Sequence, residues 1–184
     1  MSFEARMFNR RASDPRYKPD RILETLALQR GEIVADIGSG GGYFSLRFAN
    51  AIGQEGKVYA VDTNPKMLEF VRQRANEKGM YNVVTLLVKG DDLPLPEKAL
   101  NLVFMRNVCH HLPNRVEYFQ KIKKSLKPEG RIAIIEYRRS GVLRGLFRHY
   151  VPQEIILDEA SEAGYKTKES FDFLPDQSFT IFVT

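Results

Sequence analysis

The hydrophobic positions of the chain follow two alternating patterns from about residue 19 onward. Short apolar runs typical of buried strands alternate with segments in which apolar residues recur every three or four positions, as in amphipathic helices. Strands that alternate with helices usually form a parallel sheet covered on both faces. We therefore predict an α/β fold whose parallel strands are buried on both faces. They are expected at residues 33–37, 58–61, 83–88, 102–105 and 132–135.

The predicted helices have recognisable ends. Residues 20–29 form the first helix, and Gly31 follows it as a stop signal. Asn64 is placed to cap a later helix whose first position is Pro65. The helix before the fifth strand is expected to end in a turn at residues 127–130. Its buried residues are expected to be Val116, Phe119, Ile122 and Leu126. The segment ahead of the first helix shows neither pattern and is expected to be irregular.

The C-terminal part of the chain changes the character of the sheet. A helix over residues 152–163, ended by Gly164, is followed by two predicted strands at residues 165–173 and 179–183. The short loop 174–177 joins these strands, and strands joined by so short a loop pair antiparallel. We therefore predict a mixed sheet of seven strands with an antiparallel C-terminal hairpin.

Composition limits the kind of protein this is. The chain has 184 residues, of which 43% are hydrophobic, and its formal net charge is +5, which favours a single domain over residues 1–184. Its apolar runs are too short to span a membrane, and its start lacks the apolar run of a secretory signal. We therefore expect a cytoplasmic protein with no membrane partner. Cys109 is the single cysteine, so no intrachain disulfide can form. The basic excess is too scattered to imply nucleic acid.

A glycine-rich loop follows the first strand. Residues 38–42 read Gly-Ser-Gly-Gly-Gly and lead into a helix, an arrangement that lets a ligand approach the main chain closely. The dinucleotide pattern G-x-G-x-x-G fails because Tyr43 replaces its third glycine. Asp36, at the end of the strand, would repel a pyrophosphate but favour a cationic amino-acid group, directly or by ordering the loop. No Gly-Lys-Ser/Thr follows the glycines, which excludes a P-loop.

Asp62 ends the second strand, 20 residues beyond Gly42. A carboxylate at that position can accept hydrogen bonds from both ribose hydroxyls of a nucleoside. A cationic amino acid joined to adenosine describes S-adenosylmethionine, which we expect as the cofactor. The alternative interpretation is that residues 62–65, Asp-Thr-Asn-Pro, form only a turn and a helix cap.

These motifs together resemble those of class I S-adenosylmethionine-dependent methyltransferases over residues 31–137. The glycine motif at residues 34–43 and the acidic strand end at residues 59–62 match the family. Residues 90–94 resemble its adenine-side motif, and residues 101–108 its fourth-strand motif, with asparagine in place of the usual aspartate. The resemblance implies a three-layer Rossmann-like fold, a seventh strand inserted antiparallel beside the fifth, and an enzyme that transfers methyl groups.

The resemblance also assigns residues to the cofactor. The glycine loop is expected to approach the methionine portion and the acidic strand end the ribose. Residues 90–94 are expected at the adenine, where either Asp91 or Asp92 contacts its amino group. The expected cofactor-binding residues are Asp36, Gly38, Ser39, Gly40, Gly42, Asp62, Thr63, Met67, Asp91, Asp92, Leu93 and Asn107. We expect no metal site, because the adjacent histidines at residues 110 and 111 diverge and no third ligand is spaced with them.

Catalysis needs mainly a well-placed acceptor, because methyl transfer from a sulfonium is a displacement with a good leaving group. If the acceptor loses a proton, candidate groups lie after the fourth and fifth strands and in the N-terminal segment. These candidates are Asn107, His110, His111, Glu136 and Tyr17. We expect the histidine pair to serve structure more than catalysis, with His111 contributing mainly to stability. Tyr17 resembles the lid tyrosines of this family and is expected to act from a lid over the cofactor, with a purely structural role as a packing aromatic as the alternative.

We expect a small-molecule acceptor that enters over the fourth and fifth strands. Residues 1–30 would supply a lid and a helix, residues 31–137 the cofactor-binding core, and residues 138–184 the acceptor-side loop, helix and strand pair. An RNA or protein acceptor, or a cofactor-binding regulatory protein without transferase activity, is the alternative. The oligomeric state is not predicted. An acidic acceptor, or simply a solvated loop, would account for Arg138, Arg139, Arg144 and Arg148.

Overall fold

A mixed sheet of seven strands forms the centre of the structure. The computed structural model describes residues 3–90, 92–138 and 150–184. Within these ranges the strands are β1 (Ile33–Ile37), β2 (Lys57–Asp62), β3 (Val83–Leu87), β4 (Leu100–Arg106), β5 (Leu126–Tyr137), β6 (Lys166–Phe171) and β7 (Gln177–Val183). Their spatial order is β3-β2-β1-β4-β5-β7-β6. β1 to β5 pair in parallel, and β7 is antiparallel to both of its neighbours, which confirms the predicted mixed sheet.

Helices surround this sheet. In the described part of the chain they are α1 (Phe3–Ala12), α2 (Pro19–Leu26), α3 (Tyr43–Ile52), α4 (Pro65–Glu77), α5 (Arg115–Ser125) and α6 (Gln153–Glu162). Single 3-10 turns lie at Pro15–Tyr17 and Cys109–His111. None of the described helices combines the length and the apolar character needed to cross a lipid bilayer.

The sheet separates two hydrophobic cores. Alternate residues of a strand point to opposite faces, so Val34 and Phe104 lie in one core, and Ala35 and Met105 lie in the other. The first core is completed by residues of α2 and α3, and the second by residues of α5 and α6. Helix, sheet and helix therefore form three layers, as the sequence predicted.

Three local predictions are wrong. The segment ahead of α2 is not irregular, because residues 3–12 form α1. The turn expected at residues 127–130 belongs to β5, which begins at Leu126 and shifts its register with β4 after Leu100. Leu126 is therefore buried as a strand residue instead of a helical one. β3 is only half-buried, because it lies at the edge of the sheet.

The turn from β1 into α3 depends on Gly42. Its φ of +77° lies in the left-handed region, and a Cβ atom built there would lie 2.7 Å from Cγ2 of Val71 in α4. Side chains are disfavoured in this backbone conformation, and no side chain fits against α4 at this distance. The glycine therefore lets α4 pack directly against the start of α3.

We predict that Gly42→Ala lowers the free energy of unfolding by roughly 2–5 kcal/mol, from left-handed strain plus a steric clash. Gly31→Ala is the matched control, because Gly31 has a φ of +81° but no atom within 4 Å of the added Cβ. It should cost only the strain, about 1–2 kcal/mol. Urea unfolding of both variants measures the difference, and equal losses would show that the approach of Val71 carries no energy.

Candidate functional site

Four of the five N–H groups of the glycine loop, residues 38–42, donate hydrogen bonds within the protein. Gly38 N and Ser39 N both donate to the carbonyl oxygen of Val61, at 2.8 and 3.0 Å. Gly40 N donates to Oδ2 of Asp62 at 2.9 Å, and Gly42 N donates to the carbonyl oxygen of Ser39 at 2.8 Å. Loops that cradle a phosphate point such N–H groups at the anion. This loop instead presents glycine backbone to a ligand, and its own hydrogen bonds attach it to the end of β2.

Asp62 joins the glycine loop to the start of α4. Its Oδ2 accepts from Gly40 N, and its Oδ1 accepts from Asn64 N at 2.9 Å. Asn64 in turn caps α4 by accepting a hydrogen bond from Lys66 N. Residues 62–65 therefore do form a turn and a helix cap. This arrangement does not exclude a ligand, because a carboxylate has about four acceptor positions and only two are used here.

Asp36 links the end of β1 to the first turn of α3. It is 4% exposed, and its Oδ2 accepts a hydrogen bond from Oγ of Ser45, in the first turn of α3, at 2.5 Å. Burial raises the pKa of Asp36 to about 7, with a smaller contribution from Asp62. This carboxyl group therefore holds the end of β1 to the first turn of α3, which agrees with an ordering role, and its attraction of a cationic ligand group stays a prediction.

The space around Gly38 and Ser39, beside the end of β4, has features that suit the methionine portion of the expected cofactor. A Cβ on Gly38 would lie 2.4 Å from Cγ2 of Val108, so glycine alone fits between the loop and the end of β4. Oγ of Ser39 is buried and has no hydrogen-bond partner among the described residues. A buried hydroxyl without a partner is costly, and a polar ligand group would satisfy it. The residues present therefore fit the cofactor that the sequence predicted.

Helix α1 packs directly on this loop, which the sequence did not reveal. Phe8 lies over Gly40, with its Cβ 3.6 Å from the position of a Cβ on that glycine. Asn9 donates to the carbonyl oxygen of Gly41 at 2.8 Å and accepts from Tyr43 N at 3.1 Å. The paired donor and acceptor of one amide side chain therefore fix α1 at the loop.

The remaining predicted cofactor residues are distributed around the same edge. Met67 is 2% exposed and packs with Ala5 and Phe70, so α1 covers it. Thr63 is exposed directly after Asp62. The loop after β3 places an exposed Asp92 and a half-buried Leu93, which packs against the core, while Asp91 lies outside the described residues.

A second polar group lies at the ends of β4, β5 and β7. Asn107 follows β4 with a φ of +56°, an uncommon conformation that asparagine tolerates better than most residues. Its N–H donates to the carbonyl oxygen of Ile135 at 2.8 Å, and its Oδ1 accepts from Nε2 of Gln177 at 2.7 Å. Gln177 is fully buried and also accepts from Nη2 of Arg106 at 3.4 Å. Gln177 thus links the three strand ends.

His110 and Glu136 form a buried pair on the other face of β5. Nδ1 of His110 lies 3.0 Å from Oε1 of Glu136, which also accepts from Tyr137 N at 2.9 Å. The two side chains are 10% and 0% exposed. Oε2 of Glu136 is buried without a hydrogen-bond partner in the described ranges. A proton on Nδ1, donated to Glu136, would leave the lone pair of the imidazole on Nε2.

The two histidines differ from the expectation. Their rings are 4.1 Å apart, but His111 is exposed whereas His110 is largely buried. An exposed ring removes little surface from water, so burial of this ring gives little support to the stability role expected of His111, which stays a prediction. The buried pairing belongs to His110. No group of three potential metal-ligating side chains occurs in residues 3–90, 92–138 or 150–184.

Tyr17 and Arg106 meet above β4. Tyr17 is buried, and the Arg106 guanidinium lies 5.2 Å from its ring centroid. No role for Arg106 was predicted from the sequence, although a charged residue at the end of an apolar strand is a signal that could have revealed one. No role was predicted for Gln177 either, and we find no sequence signal for it.

Of the predicted acceptor-side arginines, Arg138 donates its backbone N–H to the carbonyl oxygen of Asp176 at 2.8 Å. The others, Arg139, Arg144 and Arg148, lie outside the described residues.

Comparison with known proteins agrees with this geometry. Residues 28–172 match the family model described as a methyltransferase domain. The ubiquinone/menaquinone biosynthesis C-methyltransferase UbiE of Neisseria meningitidis is 29% identical over 162 residues, which cover 84% of this chain and 65% of that protein. This chain therefore spans less than two thirds of that relative's length. An arsenite methyltransferase of Halobacterium salinarum is 32% identical over 108 residues, which cover 59% of this chain and 28% of the relative.

The structural comparison extends over the whole chain. The crystal structure of a SAM-dependent methyltransferase from Aquifex aeolicus superposes with a TM-score of 0.85 at 21% identity and covers 100% of both chains. The two proteins therefore share one fold. Together with a family model that matches most of the sequence, this shows that the chain belongs to the methyltransferase-domain family and has the Rossmann-like fold of class I S-adenosylmethionine-dependent methyltransferases.

Proposed function

We propose that this protein transfers a methyl group from S-adenosylmethionine to a small-molecule acceptor in the cytoplasm. The observation that carries the proposal is the glycine loop, because the N–H groups of Gly38, Ser39, Gly40 and Gly42 donate to Val61, Asp62 and Ser39 and so do not serve a phosphate. The relatives are named for methylation in quinone biosynthesis and of arsenite, which supports a small acceptor.

The cofactor would bind across β1, β2 and β4. When bound, it supplies a methyl group on a sulfonium, which needs no further activation by the protein. Asp62 would accept hydrogen bonds from the ribose, and Ser39 and Asn107 would contact the methionine portion, with Thr63, Met67, Asp92 and Leu93 nearer the nucleoside. Asp91 is assigned to the adenine side by the sequence alone. Tyr17 and α1 would cover the bound cofactor and exclude water.

The acceptor would enter beyond β4 and β5, where the His110–Glu136 pair lies. For an acceptor that loses a proton, His110 would take that proton on Nε2, and the Glu136 carboxylate would stabilise the imidazolium through Nδ1–H. Glu136 is well placed for this because it is desolvated and already oriented by Tyr137 N. Asn107 would position the acceptor from the strand end.

We predict that the protein binds S-adenosylhomocysteine and does not bind NAD in calorimetry. Asp62→Ala should weaken S-adenosylhomocysteine binding by about 1.5–3 kcal/mol, the scale for hydrogen bonds to a charged group. It should also lower stability, because Gly40 N and Asn64 N lose their acceptor. Asp158→Ala, at an exposed aspartate of α6, is the control and should leave the affinity unchanged. Tighter binding of NAD than of S-adenosylhomocysteine would contradict the proposed function.

The affinity for S-adenosylmethionine should depend on the charge of Asp36. Its pKa of about 7 means that the carboxyl group becomes an anion as pH rises from 6 to 8, and an anion attracts the cationic sulfonium. We predict that the S-adenosylmethionine affinity rises roughly 3- to 10-fold over this interval. S-adenosylhomocysteine, which lacks the sulfonium charge, should respond less, and Asp36→Asn should remove the difference between the ligands. Equal pH profiles for both ligands in the unsubstituted protein would count against this role.

Methyl transfer itself is tested with labelled S-adenosylmethionine and fractionated cell extract. Label in a small-molecule fraction is expected; label in RNA or protein would favour the alternative acceptors, and binding without transfer would favour a regulatory protein. With the untreated fraction that accepts label as substrate, Glu136→Gln and His110→Gln should lower turnover by about 100-fold or more while S-adenosylhomocysteine affinity stays unchanged. Glu159→Gln breaks the ion pair with Arg115 and serves as the control, with turnover retained. Full turnover in Glu136→Gln would exclude the pair from proton transfer.

A further inference from the structure

Arg106 has a guanidinium group that the protein leaves largely unsatisfied. The group lies close to two aromatic rings, 5.2 Å from the centroid of Tyr17 and 5.4 Å from that of Phe44. Its one hydrogen bond to a described residue is the long contact of 3.4 Å with Gln177. Its Nε is buried and has no hydrogen-bond partner in the described part of the chain. A guanidinium has five N–H donors, so most of its hydrogen-bonding capacity is unused here.

The charge of Arg106 is uncompensated as well. None of the ion pairs between described residues includes it. The carboxyl group that contributes to the pKa of Arg106 is that of Asp36, which is bonded to Ser45 and only partly ionised near neutral pH. Burial accordingly lowers the pKa of Arg106 from its ordinary value. Buried charges in proteins are normally paired, because removing an ion from water is costly. An anion that is not part of the described residues would supply the missing partner.

The surroundings hold this guanidinium at the ligand edge of the sheet. Arg106 ends β4, and the left-handed Asn107 that follows is bound to β5 through the carbonyl of Ile135. Gln177 uses its amide nitrogen on Asn107 and its amide oxygen on Arg106, so it fixes both side chains. Two residues farther on, Val108 packs against Gly38 of the glycine loop. The unsatisfied guanidinium therefore lies beside the place where the methionine portion of the cofactor and the acceptor would meet.

We propose that Arg106 binds a carboxylate at this site. A planar guanidinium suits a carboxylate because two parallel N–H groups, Nε and one Nη, can bind its two oxygens. The rings of Tyr17 and Phe44 offer this guanidinium apolar contact, which restricts its orientation and limits its access to water. Two molecules could supply the carboxylate: the methionine portion of the cofactor or the acceptor. This inference rests on the proposed function, since both ligands belong to methyl transfer.

The experiment compares ligands with and without a carboxylate in Arg106→Met. Calorimetry with S-adenosylhomocysteine and with 5′-methylthioadenosine, which lacks the carboxylate, tests the cofactor. Benzoate and uncharged benzamide, titrated in the presence of saturating S-adenosylhomocysteine, test the acceptor side. Arg131→Met is the control. Arg131 lies in β5 and pairs with Glu32, which directly precedes β1, so it is far along the strands from their carboxyl ends.

If the cofactor supplies the carboxylate, Arg106→Met should weaken S-adenosylhomocysteine at least about tenfold and change 5′-methylthioadenosine less than twofold. If the acceptor supplies it, both nucleosides should bind as before, while benzoate should bind the unsubstituted protein and not the variant. Arg131→Met should change neither pattern. Unchanged binding of every probe in Arg106→Met overturns the inference, and failure of the unsubstituted protein to bind S-adenosylhomocysteine overturns the proposed function instead.

Stability gives an independent readout. If the guanidinium is kept for a ligand, Arg106→Met should unfold at the same temperature as the unsubstituted protein or higher, because an uncompensated buried charge is removed. Arg131→Met should unfold at a lower temperature, because it leaves Glu32 without its partner. A marked loss of stability in Arg106→Met would show a structural role and would contradict the inference. If that variant does not fold, Arg106→Lys, which keeps the charge but not the paired N–H groups, must show the same selective loss.

Discussion

The structure depends on the way one glycine turn is tied to the end of β2. The carbonyl oxygen of Val61 and the carboxylate of Asp62 together accept three N–H groups of the turn, and Asp62 also accepts the N–H of Asn64 at the start of α4. Such bonds are affordable only for a backbone that can turn sharply without side chains, which is why glycine recurs here. This turn sets the direction of α3. It also lets α4 pack against the start of α3 and provides the surface on which α1 packs.

Ionisable groups that are hidden from water collect at the same edge of the sheet. Asp36, Arg106 and Glu136 are each largely or fully buried near the carboxyl ends of parallel strands. Asp36 and Arg106 form no ion pair with a described residue, and Glu136 is paired with His110, which is charged only when protonated. Folding alone does not favour this arrangement, because desolvated charges cost free energy. Perturbed or unsatisfied ionisable groups that gather at one edge are typical of functional sites. The electrostatics and the fold therefore indicate one region.

Helix α1 connects the N-terminal segment to that region. It binds the loop through Asn9 and covers Gly40 with Phe8, and its Ala5 packs with Met67 of α4. A ligand that reaches Gly40 must therefore share this surface with α1. The adjoining Tyr17 covers Arg106 in the same way. The N-terminal segment thus forms one wall of the site, although it contributes no strand to the sheet.

The sequence by itself determined the strand and helix alternation, the mixed sheet, and the roles of local motifs such as the cap at Asn64, because these depend on short-range periodicity and turn chemistry. It could not show that Leu126 belongs to β5, that β3 is an edge strand, or that residues 3–12 are helical, since each depends on packing with distant segments. Only the tertiary structure paired His110 with Glu136 and exposed His111, because neighbours in sequence can face different surroundings. The tertiary structure alone also placed Gln177 between Asn107 and Arg106, joining residues 70 and 71 positions apart, because hydrogen bonds over such separations arise only when the strands assemble side by side.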